Sequence, residues 1–186
     1  HRRSPHPRRR PSSKARAAKK FLKSRKARFR LIDASDPGLV RILAEGCDVI
    51  VSCVPYFFNL GLAKAAIAAR AHFVDLGGNT DISRQELALH GQAKRAGVTI
   101  LPDVGLGPGM TTTLAVHGME QLDSTDEVLI RDGGLPQKPV PPMNYMLTFS
   151  EHGLINEYVE DATALRDYKL VKGAGLSEIE TIEVPG

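Results

Sequence analysis

Three segments of this chain are built alike, and their shared pattern constrains the fold more than any other feature. Each is a short apolar run, rich in β-branched residues, that ends in polar residues, glycine or proline: Cys47–Pro55, Phe73–Asn79 and Val98–Gly109. Two helix-like segments of ordinary length separate them. Alternation of strands and helices with short connections predicts a parallel sheet with right-handed crossovers. The expected fold class is therefore α/β.

The carboxyl ends of the three predicted strands are where a ligand is expected. In an open α/β sheet, ligands bind in the crevice outside the carboxyl ends of the strands. Here those ends carry small or polar residues close to Pro55, Asn79 and Gly109. The sequence therefore predicts that the three ends form the rim of one common site.

Each strand end offers a different contact. Small residues and a proline in Ser52–Pro55 let a flat ring approach the backbone, and two glycines in Asp75–Asn79 permit positive φ and close approach. The glycine-rich Asp103–Met110 leads into a helix expected over residues 108–121, whose N-terminus suits an anion such as a carboxylate. A proline-stopped strand, a capped turn and a plain glycine loop explain the same segments without a ligand.

The sequence also predicts where further elements begin and end. Ser83 and Glu86 match the capping-box pattern, so a helix is expected from Ser83 to Arg95. Pro37 is expected in the first turn of another helix, where its missing N–H does no harm. The remaining expectations are helices at 14–27 and 153–160 and strands at 28–32, 126–131, 144–149, 169–172 and 178–184.

The charge of the chain is divided unevenly between its start and its body. Residues 1–30 carry 14 Lys and Arg and no acid, whereas the other 156 residues carry 11 bases and 21 acids. Dense charge and three prolines predict a disordered basic tail at 1–13. A nucleic-acid partner is not expected, because the basic stretch lacks interleaved aromatic residues and any recognisable nucleic-acid-binding pattern.

Cysteine spacing and hydropathy bear on the cellular environment. Cys47 and Cys53 fall on one predicted strand, about 20 Å apart, which is beyond the reach of a disulfide. Reduced thiols fit a cytoplasmic protein. No apolar run approaches the ~18 residues that a membrane span needs, so no membrane association is expected.

Six segments follow one another in the order of a known family: Cys47–Asn59, Phe73–Thr80, Pro102–Met110, Val116–Asp123, Gly133–Pro139 and Asn144–Tyr158. Together they resemble the saccharopine dehydrogenase family, most closely its lysine 6-dehydrogenase branch. The resemblance covers roughly residues 31–186. It implies a Rossmann-type NAD(P)-binding domain at 14–104 and the N-terminal part of an α+β catalytic domain at 105–186. It also implies oxidation of an amino acid C–N bond with NAD or NADP, by lysine ε-deamination or a saccharopine-type reaction.

This resemblance assigns roles to the strand-end residues. Removal of a proton from the substrate amine needs a base, for which Asp103 is the first candidate and Tyr145 the second. Thr111 and the N–H groups after Pro108 are expected to hold a substrate carboxylate, and no metal is expected. The cofactor-binding set is Asp33, Ser52, Cys53, Val54, Pro55, Asp75, Gly77, Gly78 and Asn79, and the substrate-binding set is Tyr56, Gly107, Pro108, Gly109, Met110 and Thr111.

One departure from the family pattern alters the expectation. The family opens with a G-x-G-x-x-G phosphate loop between its first strand and helix, and this sequence contains no such loop. We therefore expect a truncated Rossmann sheet, an unpaired segment at 28–32 and impaired dinucleotide binding, in a protein that is homo-oligomeric when intact. The alternative is a non-catalytic Rossmann remnant whose basic arm binds nucleic acid or an acidic partner.

Overall fold

The computed structural model describes residues 13–24, 26–134, 136–147 and 149–182. The predicted tail at 1–13 lies outside the described residues apart from Ser13, which begins the first helix. In chain order the elements are α1 (Ser13–Leu22), α2 (Pro37–Ala44), β1 (Val49–Ser52), a short 3₁₀ helix (Tyr56–Phe58), α3 (Asn59–Ala69), β2 (His72–Asp75), α4 (Thr80–Leu87), α5 (His90–Ala96), β3 (Ile100–Leu101), α6 (Met110–Met119), α7 (Glu151–Val159), β4 (Ala162–Arg166) and β5 (Lys169–Gly173).

A parallel three-stranded sheet in the order β1-β2-β3 organises the first half of the chain. Ser52 lies opposite Asp75 across β1 and β2, and Phe73 lies opposite Ile100 across β2 and β3. Helix α3 connects β1 to β2, and helices α4 and α5 connect β2 to β3. The predicted α/β fold with a partial Rossmann-type parallel sheet is confirmed.

The hydrophobic core lies between this sheet and the helices that connect its strands. Phe73 of β2 is 0% exposed, and the alanines of α3 allow that helix to approach it closely. The other side chains of the core cluster are Val40, Leu62, Ala63, Ala65, Ala66 and Leu89.

The other side of the sheet is open among the described residues. Val49, Val51 and Leu101 are each about half exposed. The sheet thus has one packed side and one apolar side in contact with solvent.

Three of the expectations for individual elements are wrong. Residues 28–32 form no strand, because no neighbouring strand pairs with them in the described part of the chain. Asn79 caps α4 in place of Ser83, since Asn79 is extended at φ −161° and its Oδ1 accepts the Ile82 N–H at 3.0 Å. The helix expected from Ser83 to Arg95 is also two helices, α4 and α5.

Beyond residue 105 the described chain holds two helices and one hairpin. No strand forms at 126–131 or 144–147, and the chain is coil at 178–182. Strand β5 confirms the expectation at 169–172, but its antiparallel partner β4 was not expected. The two turn residues between them, Asp167 and Tyr168, both have positive φ. Glycine commonly marks such a turn in a sequence, and neither of these residues is glycine. No described helix combines the length and apolar character needed to cross a membrane.

Candidate active site at the strand ends

Asp75, the last residue of β2, connects the ends of two strands. Its side chain is 0% exposed, and its Oδ1 accepts the Gly77 N–H at 2.7 Å and the Asp103 N–H at 3.3 Å. Its backbone carbonyl accepts the Val104 N–H at 2.9 Å. The loop after β3 is therefore tied to the turn after β2.

Close backbone approach makes glycine necessary at two positions of this connection. Gly77 has φ +78°, and a Cβ there would strike the Asp103 carboxylate and lie 2.9 Å from Pro108 Cγ. A Cβ on Gly105 would lie 2.6 Å from the Leu76 carbonyl oxygen. Gly77 and Gly105 thus each lie where the neighbouring loop leaves no room for a side chain.

The end of β1 joins the same rim through Tyr56. The Tyr56 ring stands over Gly78, where an added Cβ would lie 3.3 Å from Tyr56 Cβ. All three strand ends therefore meet at one edge of the sheet, as a parallel arrangement requires. The residues brought together are Tyr56, Asp75, Gly77, Gly78, Asn79, Asp103 and Pro108.

Asp103 is half-buried at the centre of this rim. Its Oδ1 accepts a hydrogen bond from Ser83 Oγ at 2.7 Å. Burial raises the pKa of the Asp103 carboxyl above its ordinary value, Ser83 opposes this by hydrogen bonding, and the charge of Asp75 adds to the rise. A carboxylate with a raised pKa is a stronger base than an exposed aspartate.

Glu86 is a buried acid that sequence reasoning assigned to a helix cap. It is 1% exposed, and neither carboxyl oxygen has a hydrogen-bond partner. Burial, followed by the charge of Asp75, raises the pKa of Glu86 to about 8. Ser83, Glu86, Leu89 and Ala93 are all buried at helical spacing, so that periodicity was the signal for an inward-facing Glu86.

Helix α7 reaches the rim from the second half of the chain. Asn156 Nδ2 donates to the Gly78 carbonyl at 2.8 Å, and Asn79 Nδ2 donates to Glu160 Oε1 at 2.5 Å. His152 also stacks edge-on against Phe57 with ring centroids 5.8 Å apart. No motif in the sequence signalled these contacts, because they join residues about 80 positions apart.

Two of the expected site residues have other side-chain contacts. Ser52 is buried, and its hydroxyl donates to Asn59 Oδ1 at 2.7 Å. Asp33 accepts two hydrogen bonds from Ser35 in an exposed turn, which lowers the pKa of its carboxyl. Neither side chain makes a hydrogen bond to Asp75 or Asp103.

Tyr145, the second candidate base, lines a shallow groove of about 570 Å³. The other lining residues all come from 136–146, and none of them belongs to the strand-end rim. The role of Tyr145 as a base stays a prediction.

Two of the N–H groups expected to hold a carboxylate after Pro108 are already bonded within the loop. The Met110 N–H donates to the Gly105 carbonyl at 2.9 Å, and the Thr111 N–H donates to the Leu106 carbonyl at 3.0 Å. The loop therefore uses these two amides internally, and they are not free to hold an anion. The close packing of Gly109 on Gly105 causes this, because it folds the loop back before α6 begins.

Apolar side chains are exposed close to the rim. Cys53, Val54, Leu76 and Leu106 are exposed in the segments that follow β1, β2 and β3. In the described ranges, no three His, Cys, Asp or Glu side chains gather so that they could hold a metal ion.

Comparison with known proteins identifies the family. The model described as the saccharopine dehydrogenase NADP binding domain matches residues 8–101. The chain belongs to this family. The family resemblance read from the sequence is therefore confirmed, whereas the lysine 6-dehydrogenase branch stays a prediction.

Curated relatives and a solved structure agree with this family. Saccharopine dehydrogenase [NADP(+), L-glutamate-forming] of Pyricularia oryzae is 26% identical over 77% of this chain and 33% of its own length. Mitochondrial alpha-aminoadipic semialdehyde synthase of Bos taurus is 28% identical over 69% of this chain and 14% of its own length. The apo histidine-tagged saccharopine dehydrogenase (L-Glu forming) from Saccharomyces cerevisiae shares the fold, with a TM-score of 0.60 at 22% identity over 89% of this chain and 37% of that one. The chain thus spans a third or less of these two curated relatives.

Proposed function

We propose that this chain carries the nicotinamide-side part of the active site of an NAD(P)-dependent oxidoreductase that acts on a C–N bond of an amino acid. The observation that carries the proposal is the meeting of the three strand ends at Asp75, Gly77 and Asp103 in a chain of this family. NADP is the proposed cofactor because the family description names it, and NAD is the other form to be tested.

The rim supplies groups for binding and for proton transfer. A bound nicotinamide would supply the hydride acceptor for oxidation of the carbon that bears the amine. Cys53, Val54 and Pro55 offer small and apolar surface on which a ring can lie, and Asn79 holds the turn at Gly78 through its bonds to Ile82 and Glu160. Tyr56 covers Gly78 and limits the opening on the β1 side, so it is the proposed substrate contact from this strand.

Asp103 is the proposed base that takes the proton from the substrate amine. Its raised pKa and its partly open position favour this role over that of Asp75, which is fully buried and already accepts two backbone amides. The Ser83 hydroxyl holds one Asp103 oxygen, which leaves the other for the substrate. Saccharopine is one proposed substrate, from the name of a relative, and lysine is the other, from the resemblance to the lysine 6-dehydrogenase branch.

The test is formation of NADPH or NADH, followed by absorbance, with lysine or saccharopine and millimolar cofactor. Asp103→Asn keeps the shape but removes the base, and we expect turnover to fall by roughly 100-fold or more. Asp123→Asn, a change at an exposed acid, is the matched control and should leave turnover unchanged. A rate for Asp103→Asn within a few-fold of the parent would remove Asp103 from this role.

Cofactor affinity provides a second, separate measurement. Because the sequence contains no G-x-G-x-x-G loop to cradle the pyrophosphate, we propose that the isolated chain binds dinucleotides weakly. Calorimetric titration with NADP and with NAD should give dissociation constants well above micromolar. Micromolar binding of either form would contradict the proposed weakness while supporting the oxidoreductase assignment.

A further inference from the structure

Asp75 and Glu86 present an unpaired set of oxygens in the interior beneath the rim. Both oxygens of Glu86 and Oδ2 of Asp75 are buried without a hydrogen-bond partner. Two ionised carboxylates cannot satisfy each other, because each offers only acceptors. A proton on one of them would create a donor and pair two of these three oxygens.

The charges that raise the pKa of Glu86 are both negative. Asp75 faces it from the end of β2 and Asp103 from the loop after β3, while on its own helix the neighbouring buried polar residue is the neutral Ser83. Helix α3, which packs against α4, contributes apolar side chains to the core on that side. Among the described residues no ion pair joins Glu86 to a cation, and removal from water disfavours its ionised form.

Asp75, in contrast, already has donors for one of its oxygens. Its Oδ1 accepts the N–H groups of Gly77 and Asp103. One proton on Glu86, directed to Asp75 Oδ2, would thus pair the remaining oxygen of Asp75 with one oxygen of Glu86.

We propose that Glu86 is a positioning residue that keeps its proton at neutral pH, donates it to Asp75 Oδ2, and thereby fixes the Gly77 turn and Asp103 at the strand ends. The proposal deepens the proposed function, since it rests on it for the reactive role of Asp103. The hydrogen-bond arrangement itself does not depend on any activity.

Loss of this proton would disturb both connections that Asp75 makes. A second buried negative charge would repel the carboxylates of Asp75 and Asp103, and the amides of Gly77 and Asp103 would shift as their acceptor moved. Because the pKa of Glu86 is about 8 in the folded protein against an ordinary value of 4.5, the folded state holds the proton more tightly than the unfolded state. The stability that the proton provides is fully present below pH 4.5 and is lost as the pH rises through about 8.

The experiment is a pH titration of the chain with ¹³C-labelled glutamate and ¹⁵N-labelled backbone, followed by NMR. We expect one carboxyl signal with a midpoint near 8, absent in Glu86→Gln and retained in Glu120→Gln, a change at an exposed glutamate. The Gly77 and Asp103 amide signals should move with the same midpoint in the parent and not in Glu86→Gln, whose amide can still donate to Asp75. Amide movement that follows the titration of Glu86 would show that Glu86 positions Gly77 and Asp103. A purely structural role of Glu86 would give no such pH-linked movement.

Two results would overturn the proposal. One is a Glu86 signal that titrates in the range of an exposed glutamate, and the other is amide shifts at Gly77 and Asp103 that persist in Glu86→Gln. If Glu86→Gln does not fold, the parent alone decides the matter, because a protonated carboxyl shows an infrared band at pH 7 that should disappear with a midpoint near 8. Failure of Asp103→Asn to lower turnover would remove the proposed base and leave these measurements unchanged.

Discussion

The two halves of this chain differ in what holds them together. Among the described residues, the buried apolar side chains of the core all lie between Val40 and Ala93. The region from 105 to 182 has secondary structure but exposes most of its large apolar side chains, including Leu170 and Ile179. The first half therefore contains its own core, whereas the second half depends on specific contacts such as those of α7 with the strand-end rim.

Removal of the largest core side chain should have the greatest effect and should affect only the first half. Phe73→Ala leaves a cavity between β2 and α3, so we expect the free energy of unfolding to fall by about 3–5 kcal/mol. Urea denaturation followed by circular dichroism measures this. Leu170→Ala in the exposed hairpin is the control and should change stability by less than about 0.5 kcal/mol. Equal losses for the two variants would show that the halves share one core.

A pair of glycines tests whether the rim is as tightly packed as the core. Gly77 and Gly97 have similar positive φ, but a Cβ on Gly77 meets Asp103 and Pro108 whereas a Cβ on Gly97 meets nothing within 4 Å. Gly97→Ala should therefore cost only the backbone strain of about 1–2 kcal/mol. Gly77→Ala should cost about 1–3 kcal/mol more, because it adds overpacking. Similar values from denaturation of both variants would mean that the loop after β3 moves away easily.

The same difference between the two halves explains which parts of the structure could be predicted from the sequence. The strand and helix alternation of the first half follows from periodicity and from a core built of nearby segments, so the positions of β1 and β2 were predicted within a few residues. Glu86 was misassigned because the local capping pattern competed with its position on the inner face of α4, and Asn79 took the cap one turn earlier. The contacts of α7 and the internal use of the Met110 amide depend on residues distant in sequence or on loop geometry, and neither leaves a local pattern.

The smallest expected effect tests the connection between the two halves. Asn156→Ala removes the hydrogen bond from α7 to the Gly78 carbonyl, for which we expect a loss of about 1 kcal/mol. Val159→Ala on an exposed part of the same helix is the matched control. Hydrogen exchange should show faster exchange in α7 and at the Gly77–Asn79 turn for Asn156→Ala, while the amides of β2 keep their protection because their bonds lie within the first half. Faster exchange throughout β2 would instead mean that the core of the first half requires α7, and the two regions would then form one cooperative unit.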